Sequence, residues 1–375
     1  MTTAIALLSA AIWVYFLIAR GRFWRMVEEP APALVPGIPP SVVAVVPARN
    51  EAAVVAPAVA SLAAQDYPGE FSIILVDDHS DDDTAGVALD AVPGGRLHVI
   101  AANPLPPGWT GKMWAVAEGV RAAGSPDYIL LTDADIVHPP DHLRHLVARA
   151  QTGCCDLVSS MVRLRCVSAA EQALIPAFVF FFFLLYPPAW IGDPRRKIAG
   201  AAGGCILIRR EALERIGHID RVRAEVIDDC ALATAVKRSG GRIWLGLNGS
   251  ALSVREYGTF AEIGRMVART AFTQLGYSPW LLAGTLAGLA ITYLAPPALT
   301  LLAPPGPARA LGATAWLLMS ALYLPAVRYY RRPWFWAPLL PLITVFYLGA
   351  TMWSAISYWR GRGGMWKGRA SAALR

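Results

Sequence analysis

All 27 acidic residues of this 375-residue chain lie between Glu28 and Glu262, and that asymmetry limits the folds open to it. Residues 1–27 carry three basic side chains (Arg20, Arg22, Arg25) and residues 263–375 carry eleven, with no acid in either flank. The flanks sum to +14 and the middle to −7, which gives the net charge of +7. The flanks also hold the uncharged runs Met1–Ala19, Leu275–Ala308, Ala310–Val327 and Pro333–Trp359. At about 1.5 Å per residue the first run reaches roughly 28 Å, close to the hydrocarbon thickness of a bilayer. Trp and Tyr gather at the run ends (Tyr277, Trp280, Tyr329, Tyr330, Trp334, Trp336, Tyr358, Trp359), as at a membrane interface. A membrane helix over residues 1–19 and a membrane region over 275–359, of about three apolar segments, are therefore expected. A cleaved leader is disfavoured, because the basic residues follow the apolar run instead of preceding it. The sequence pI near 9.3 averages two unlike parts, so no nucleic-acid partner is expected.

The five cysteines (Cys154, Cys155, Cys166, Cys205, Cys230) show no CxxC spacing and all lie in the polar middle, which fits a reducing compartment. The basic cluster after the first run puts the middle on the cytoplasmic side by the positive-inside rule. Residues 28–40 are Pro-rich and read as a stiff linker. Beyond them, β-branched runs alternate with helical patterns. Strands are expected at Ser41–Val46 (stopped by Pro47), Phe71–Val76, Leu97–Ala101 and Tyr128–Leu131. Helices are expected at Glu51–Gln65, Asp83–Ala91, Lys112–Ala122 and Pro140–Gln151. This alternation argues an α/β domain with a mainly parallel sheet, assigned to residues 41–270, with ligands beyond the carboxyl ends of the strands. Gln172–Gly192 is uncharged for 21 residues, long enough to cross a bilayer. Crossing would put the acidic clusters before and after it on opposite sides, and Pro176, Pro187 and Pro188 interrupt it. It is read as an interfacial segment of the domain that admits a lipid.

Three acidic clusters follow: Asp77-Asp78 after a strand, Asp133-Ala134-Asp135 after a strand, and Asp228-Asp229 before the helical stretch Cys230–Arg238. Singly, each has a plain reading as turn former or helix cap. Together in one α/β domain they suit transfer of a group from a nucleoside diphosphate. An oxygen-bound Mg2+ or Mn2+ neutralises the leaving diphosphate, and a separate carboxylate takes the acceptor proton.

The ordered set Val45-Val46-Pro47-Ala48-Arg49-Asn50-Glu51, Gln65-Asp66-Tyr67-Pro68, Val76-Asp77-Asp78-His79-Ser80, Gly111-Lys112, Thr132-Asp133-Ala134-Asp135 and Ile227-Asp228-Asp229 resembles family 2 glycosyltransferases. The layout, with the tail Trp359–Arg369, is most similar to hopene-associated glycosyltransferases of bacterial hopanoid clusters; ceramide and carotenoid glycosyltransferases are close seconds. The resemblance implies a GT-A fold (a Rossmann-like mixed sheet) flanked by transmembrane helices. It also implies a divalent metal, Mg2+ or Mn2+, and inverting transfer of one sugar from a nucleotide-sugar, usually UDP, to a lipid acceptor at the bacterial inner membrane. By motif, Pro47, Arg49 and Glu51 line the nucleotide pocket, Asp78 binds the base with Asp77 beside it, and Lys112 lies near the diphosphate. Asp133 and Asp135 form the DxD that holds the donor, with Asp135 the favoured metal ligand. Asp229 is the general base, beside Asp228. The third cluster is Asp-Asp where the family has Glu-Asp. The Gln-x-x-Arg-Trp of processive synthases is absent, so a single transfer is favoured over polymerisation.

His138, His142 and His145 sit at helical spacing and are read as part of a half-exposed helix in preference to a zinc face. Gly203-Gly204 is read equally as a bulge or as backbone approaching a substrate. Arg265 and Arg269 are membrane-proximal charges or diphosphate contacts, and Arg195-Arg196-Lys197 is a solvated loop or a headgroup contact. A polyprenyl-phosphate sugar transferase is the competing enzyme. A transporter is disfavoured because no acid lies in a span, and a scaffold because all three clusters are intact. The segment before the last span and the basic tail 360–375 both carry arginines, and a cytoplasmic tail with one re-entrant stretch is preferred.

Overall fold

The computed structural model describes residues 2–361, 365–366 and 369–370. The expected basic tail, with Arg362, Lys367 and Arg375, therefore lies mostly outside the described residues. The chain divides into two compact units.

The first unit holds residues 27–165 and 190–256 with the last described residues. Its core is an eight-stranded sheet of β1 (Val42–Ala48), β2 (Phe71–Asp77), β3 (Leu97–Ala101), β4 (Tyr128–Thr132), β5 (Ile136–Val137), β6 (Leu157–Arg163), β7 (Cys205–Arg209) and β8 (Ile243–Ser253). The spatial order is β3-β2-β1-β4-β7-β6-β8-β5. The first four are parallel, β7 runs antiparallel to both β4 and β6, and β6 is parallel to β8. The sheet is thus mixed, parallel in the half whose strands alternate with helices. All seven residues of β1 are buried, as expected for a strand covered on both faces with parallel neighbours on either side. Pro47 does not stop β1: the strand continues to Ala48. Pro47 lies beyond the last β4 partner pair, Val45 and Leu131, so its missing N–H costs no ladder bond on that side.

The crossover helices begin where the sequence sets caps. Thr110 accepts from the Met113 N–H at 3.3 Å and starts the helix Gly111–Ala122. That helix packs closely on the sheet because residue 119 is glycine; a Cβ there would collide with Val45 and Val76. The strand ends β1 and β2 are laced together. Asn50, in the left-handed region at φ 51°, accepts from the Asp81 N–H at 2.7 Å, and its own N–H donates to Ser80 Oγ at 3.0 Å.

The second unit holds residues 2–26, 166–189 and 257–361. The segment read from sequence as part of the α/β domain is grouped here instead: the helix Ala169–Leu185 runs through Pro176 without breaking. It begins on a capping box in which Ser168 accepts from the Glu171 N–H, and the fully buried Glu171 carboxylate accepts from the N–H groups of Val167, Ser168 and Tyr257 at 2.7–2.8 Å. Phe180 then packs tilted against Phe23 and edge-on against Tyr323, and Tyr347 donates to the Leu174 carbonyl at 2.9 Å. Among the described residues four apolar helical stretches are long enough to cross a membrane: Ala169–Ile191, Pro279–Leu302, Pro307–Tyr329 and Trp334–Trp359. The expected first span is a shorter helix, Thr2–Ile18, whose Trp13 donates to the Thr292 carbonyl at 2.8 Å. Within the expected continuous block 41–270, residues 166–189 and 257–270 are grouped with the flanking helices, and residues 41–165 and 190–256 with the sheet.

Candidate active site

The three acidic clusters all fall at the carboxyl-end side of the sheet unit, where β1, β2 and β4 stop. Asp77 ends β2 and accepts from both the hydroxyl and the N–H of Ser80. Asp78 is fully buried and its N–H donates to the Ala48 carbonyl at 2.8 Å. Arg49, one residue beyond β1, donates to the carbonyls of Asp78 and His79, the latter at 2.8 Å. Pro47 is buried within β1.

Lys112 joins the second cluster to the third. Its Nζ stands 2.9 Å from Asp133 Oδ1 and 3.2 Å from Asp228 Oδ2. Burial opposes its charge, but Asp133, Asp228 and Asp229 together outweigh that and hold the amine protonated, above the usual lysine range. Lys112, expected near a diphosphate, is ion-paired with carboxylates. Burial, with Asp135 and Asp228 nearby, pushes the Asp133 carboxyl up despite Lys112.

Asp228 and Asp229 occupy the first turn of the helix Asp228–Arg238, not a cap ahead of it; the residue before them, Ile227, makes no side-chain cap. Asp229 Oδ1 accepts from the Cys230 N–H at 2.7 Å and Oδ2 from the Gly203 N–H at 2.8 Å. Glycine at 203 leaves this approach open: a Cβ would stand 3.2 Å from Asp229 Oδ2, a tight contact. So the Gly203-Gly204 pair brings backbone against a carboxylate, which neither sequence reading foresaw. A first-turn aspartate at a helix N-terminus would be expected to have a lowered pKa. The structure reverses this: burial first, then Asp228, raise Asp229 to about 6, against the two N–H bonds and Lys112.

Arg255 is the functional candidate that sequence reasoning missed. Its Nη2 donates to both Glu51 oxygens at 2.7 and 2.8 Å, and its Nε donates to Asp135 Oδ2 at 3.0 Å. Ser253 Oγ donates to the same Asp135 oxygen at 2.9 Å, while Oδ1 carries no hydrogen bond among the described residues. The pairing of Ile136 with Ser253 in the β5–β8 ladder sets this contact, and nothing local in the sequence signals it. Glu51 is further fixed by its N–H, which donates to Thr84 Oγ1 at 2.9 Å.

These groups offer five carboxylates (Glu51, Asp133, Asp135, Asp228, Asp229) against two cations, Lys112 and Arg255. An oxygen-only donor set with excess negative charge and an unengaged Asp135 Oδ1 fits a hard divalent cation. The histidines weighed as a half-exposed helix are placed differently. His138 follows β5 and is buried, as is His142 at the start of the helix His142–Thr152. Only His145 is partly exposed, 3.7 Å from Asp141. Arg195 pairs with Asp193 at 2.9 Å and Arg196 lies over the Trp190 ring. Arg265 and Arg269 belong to the helix Phe260–Gln274 of the other unit.

Residues 43–217 match the model of glycosyl transferase family 2. A solved mannosyltransferase from Pyrobaculum calidifontis, in complex with GDP-Man and Mn2+, superposes on the chain with a TM-score of 0.59 at 22% identity, covering 95% of this chain and 99% of that one. This shows a GT-A fold flanked by apolar helices. A glucosyl-3-phosphoglycerate synthase from Mycobacterium tuberculosis, in complex with Mn2+, UDP and glucosyl-3-phosphoglycerate, is 22% identical with a TM-score of 0.44, covering 63% of this chain and 79% of that one. Among curated proteins no match is found.

Proposed function

We propose, from the glycosyl transferase family 2 domain carried by residues 43–217, that this chain moves a single sugar from a nucleotide-sugar, UDP-linked by preference, to a lipid acceptor with inversion. The observation that carries the reading is the convergence of the DxD and the Asp228-Asp229 pair on Lys112. In this reading Pro47, Arg49, Glu51, Asp77 and Asp78 surround the nucleotide. Asp133 and Asp135 hold a Mg2+ or Mn2+ ion, whose chemistry is to neutralise charge on the departing diphosphate. Lys112 keeps Asp133 and Asp228 in place and supplies a positive charge beside them. Arg255 orients Glu51 and Asp135 through its fork of donors.

Asp229 is the proposed base. The acceptor hydroxyl attacks the anomeric carbon opposite the diphosphate, and its proton passes to the carboxylate. A carboxyl raised to about 6 is still largely ionised at neutral pH and is a better proton acceptor than an ordinary aspartate. The Gly203 N–H holds one of its oxygens and so fixes its direction.

The lipid acceptor is supported by the apolar unit, where Leu301, Leu302, Leu317 and Leu342 present exposed side chains that suit a hydrocarbon surroundings. The segment Ala169–Ile191 enters the membrane boundary without crossing in this account. It leaves from β6 and returns to β7, and those two strands pair directly, Val158 with Leu207. Purified full-length protein in membranes, given a panel of nucleotide-sugars with Mn2+ and then lipid-extracted for mass spectrometry, tests the reading. A hopanoid, ceramide-like, carotenoid or polyprenyl-phosphate product identifies the acceptor, and the same incubation in EDTA should yield none.

A further inference from the structure

Next to the DxD lies a buried cluster that the proposed transfer does not use. Thr132, the residue before Asp133, pairs across the sheet with Cys205, and His138 and His142 close around the same point. His138, His142 and Cys205 are all buried, and one ligand atom from each lies within 4.8 Å of the others.

The hydrogen bonds hold the two rings together but leave one nitrogen over. The Thr132 hydroxyl lies 2.9 Å from the Gly204 carbonyl and 3.0 Å from His138 Nε2, and His138 Nδ1 lies 2.8 Å from His142 Nδ1. His142 Nε2 is buried with no hydrogen-bond partner among the described residues in either tautomer. The Cys205 sulfur also makes no hydrogen bond among the described residues. An unpaired buried ring nitrogen beside a buried thiol is costly in a finished core, and a bound ion would satisfy both.

We propose that His138, His142 and Cys205 bind one soft transition-metal ion, Zn2+ or Cu+, at a site separate from the cation proposed at Asp135. Two imidazoles and a thiolate select such ions, whereas Mg2+ and Mn2+ take oxygen. Burial pushes His138 down to about 4 and His142 well below the ordinary imidazole range, so both rings are neutral at pH 7. On binding, the ion would take one nitrogen of each ring and each ring would keep its single proton on the other, so the hydrogen bond between the two Nδ1 atoms would give way to the metal bonds. The Cys205 thiol, raised by burial and Asp133, loses its proton to solvent as the sulfur–metal bond forms. Cu+ with one thiolate is neutral and the easier of the two to bury. The ion would pin the ends of β4 and β7 to the helix His142–Thr152, directly behind the DxD.

The test uses full-length protein in detergent with its affinity tag removed, stripped with chelator and loaded separately with ZnCl2 or with Cu+ under reductant. Elemental analysis after desalting should find about one equivalent of one of these ions in the wild type and in Asp135→Asn, and below about a tenth in Cys205→Ala. Co2+ loading should give a thiolate charge-transfer band in the wild type that Cys205→Ala lacks. Wild-type protein that retains neither ion overturns the proposal without reference to any variant. Equal retention by Cys205→Ala and His142→Phe overturns it as well.

Discussion

The Gly203 N–H donates to Asp229 Oδ2 at 2.8 Å, and the space a Cβ would take at residue 203 is within 3.2 Å of that same oxygen. Backbone therefore aims the proposed base, and a side chain at 203 would shift it by a few tenths of an ångström. Gly203→Ala should lower kcat roughly ten- to a hundredfold, the scale of a small misplacement of a reacting group, with donor affinity unchanged. Steady-state kinetics beside calorimetric donor titration checks this. An unchanged kcat would show that the carboxylate is aimed by something else.

Arg255 is predicted to act through Glu51 and Asp135. Arg255→Ala removes three charge-assisted bonds and leaves two mostly buried carboxylates facing one another, at a cost of roughly 1–3 kcal/mol given the partial exposure of the arginine. Donor KM should rise more than kcat falls. Arg255→Lys should not restore it, because a point charge lacks the fork that spans both partners. Full rescue by lysine would reduce the role of Arg255 to charge alone.

Much of this arrangement was legible in the sequence, and the parts that were not share a cause. The strands Phe71–Asp77 and Leu97–Ala101 and the helix Gly111–Ala122 follow from local pattern, and so does the placement of each acid cluster at an element end. Arg255 and Glu51 are 204 positions apart and meet through tertiary structure, with the β5–β8 pairing setting Arg255 beside Asp135, and no local period encodes it. A helix start, visible in sequence, implies a lowered Asp229, whereas the burial and the Asp228 charge that raise it come from the folded chain. The same holds for His138 and His142: their spacing is plain, but His138 precedes the helix and both rings are buried by long-range packing, His138 against Thr132 of β4. Pro176 reads in sequence as an interruption, yet the helix Ala169–Leu185 tolerates it within an apolar unit.

The pH profile should report Asp229. Because its carboxyl is raised to about 6, transfer needs the form present above that value, and kcat should fall about tenfold per unit as pH drops below it. For stability the same shift acts in the opposite sense. The folded chain holds this proton more tightly than the unfolded chain, so the group costs stability as pH rises from the ordinary aspartate value through about 6. Asp228→Asn removes one of the groups that raise Asp229 and should move the acid limb to lower pH. An acid limb that stays fixed in that variant would assign it to another residue.

The proposed topology keeps residues 160 and 200 on one face of the membrane, since β6 and β7 pair within one sheet. Single cysteines at these positions in a background without the native cysteines should react with an impermeant reagent only from the cytoplasmic side. Labelling from opposite sides would separate the two strands and with them the site.

The most direct test of the account is sugar transfer to lipid by wild type, Asp229→Asn and Asp228→Asn, with donor binding measured on the same preparations. The account predicts that Asp229→Asn binds nucleotide-sugar as the wild type does and loses on the order of 10²–10⁴ in transfer rate, with Asp228→Asn affected less. Transfer by Asp229→Asn at the wild-type rate, while Asp228→Asn is inactive, would contradict it.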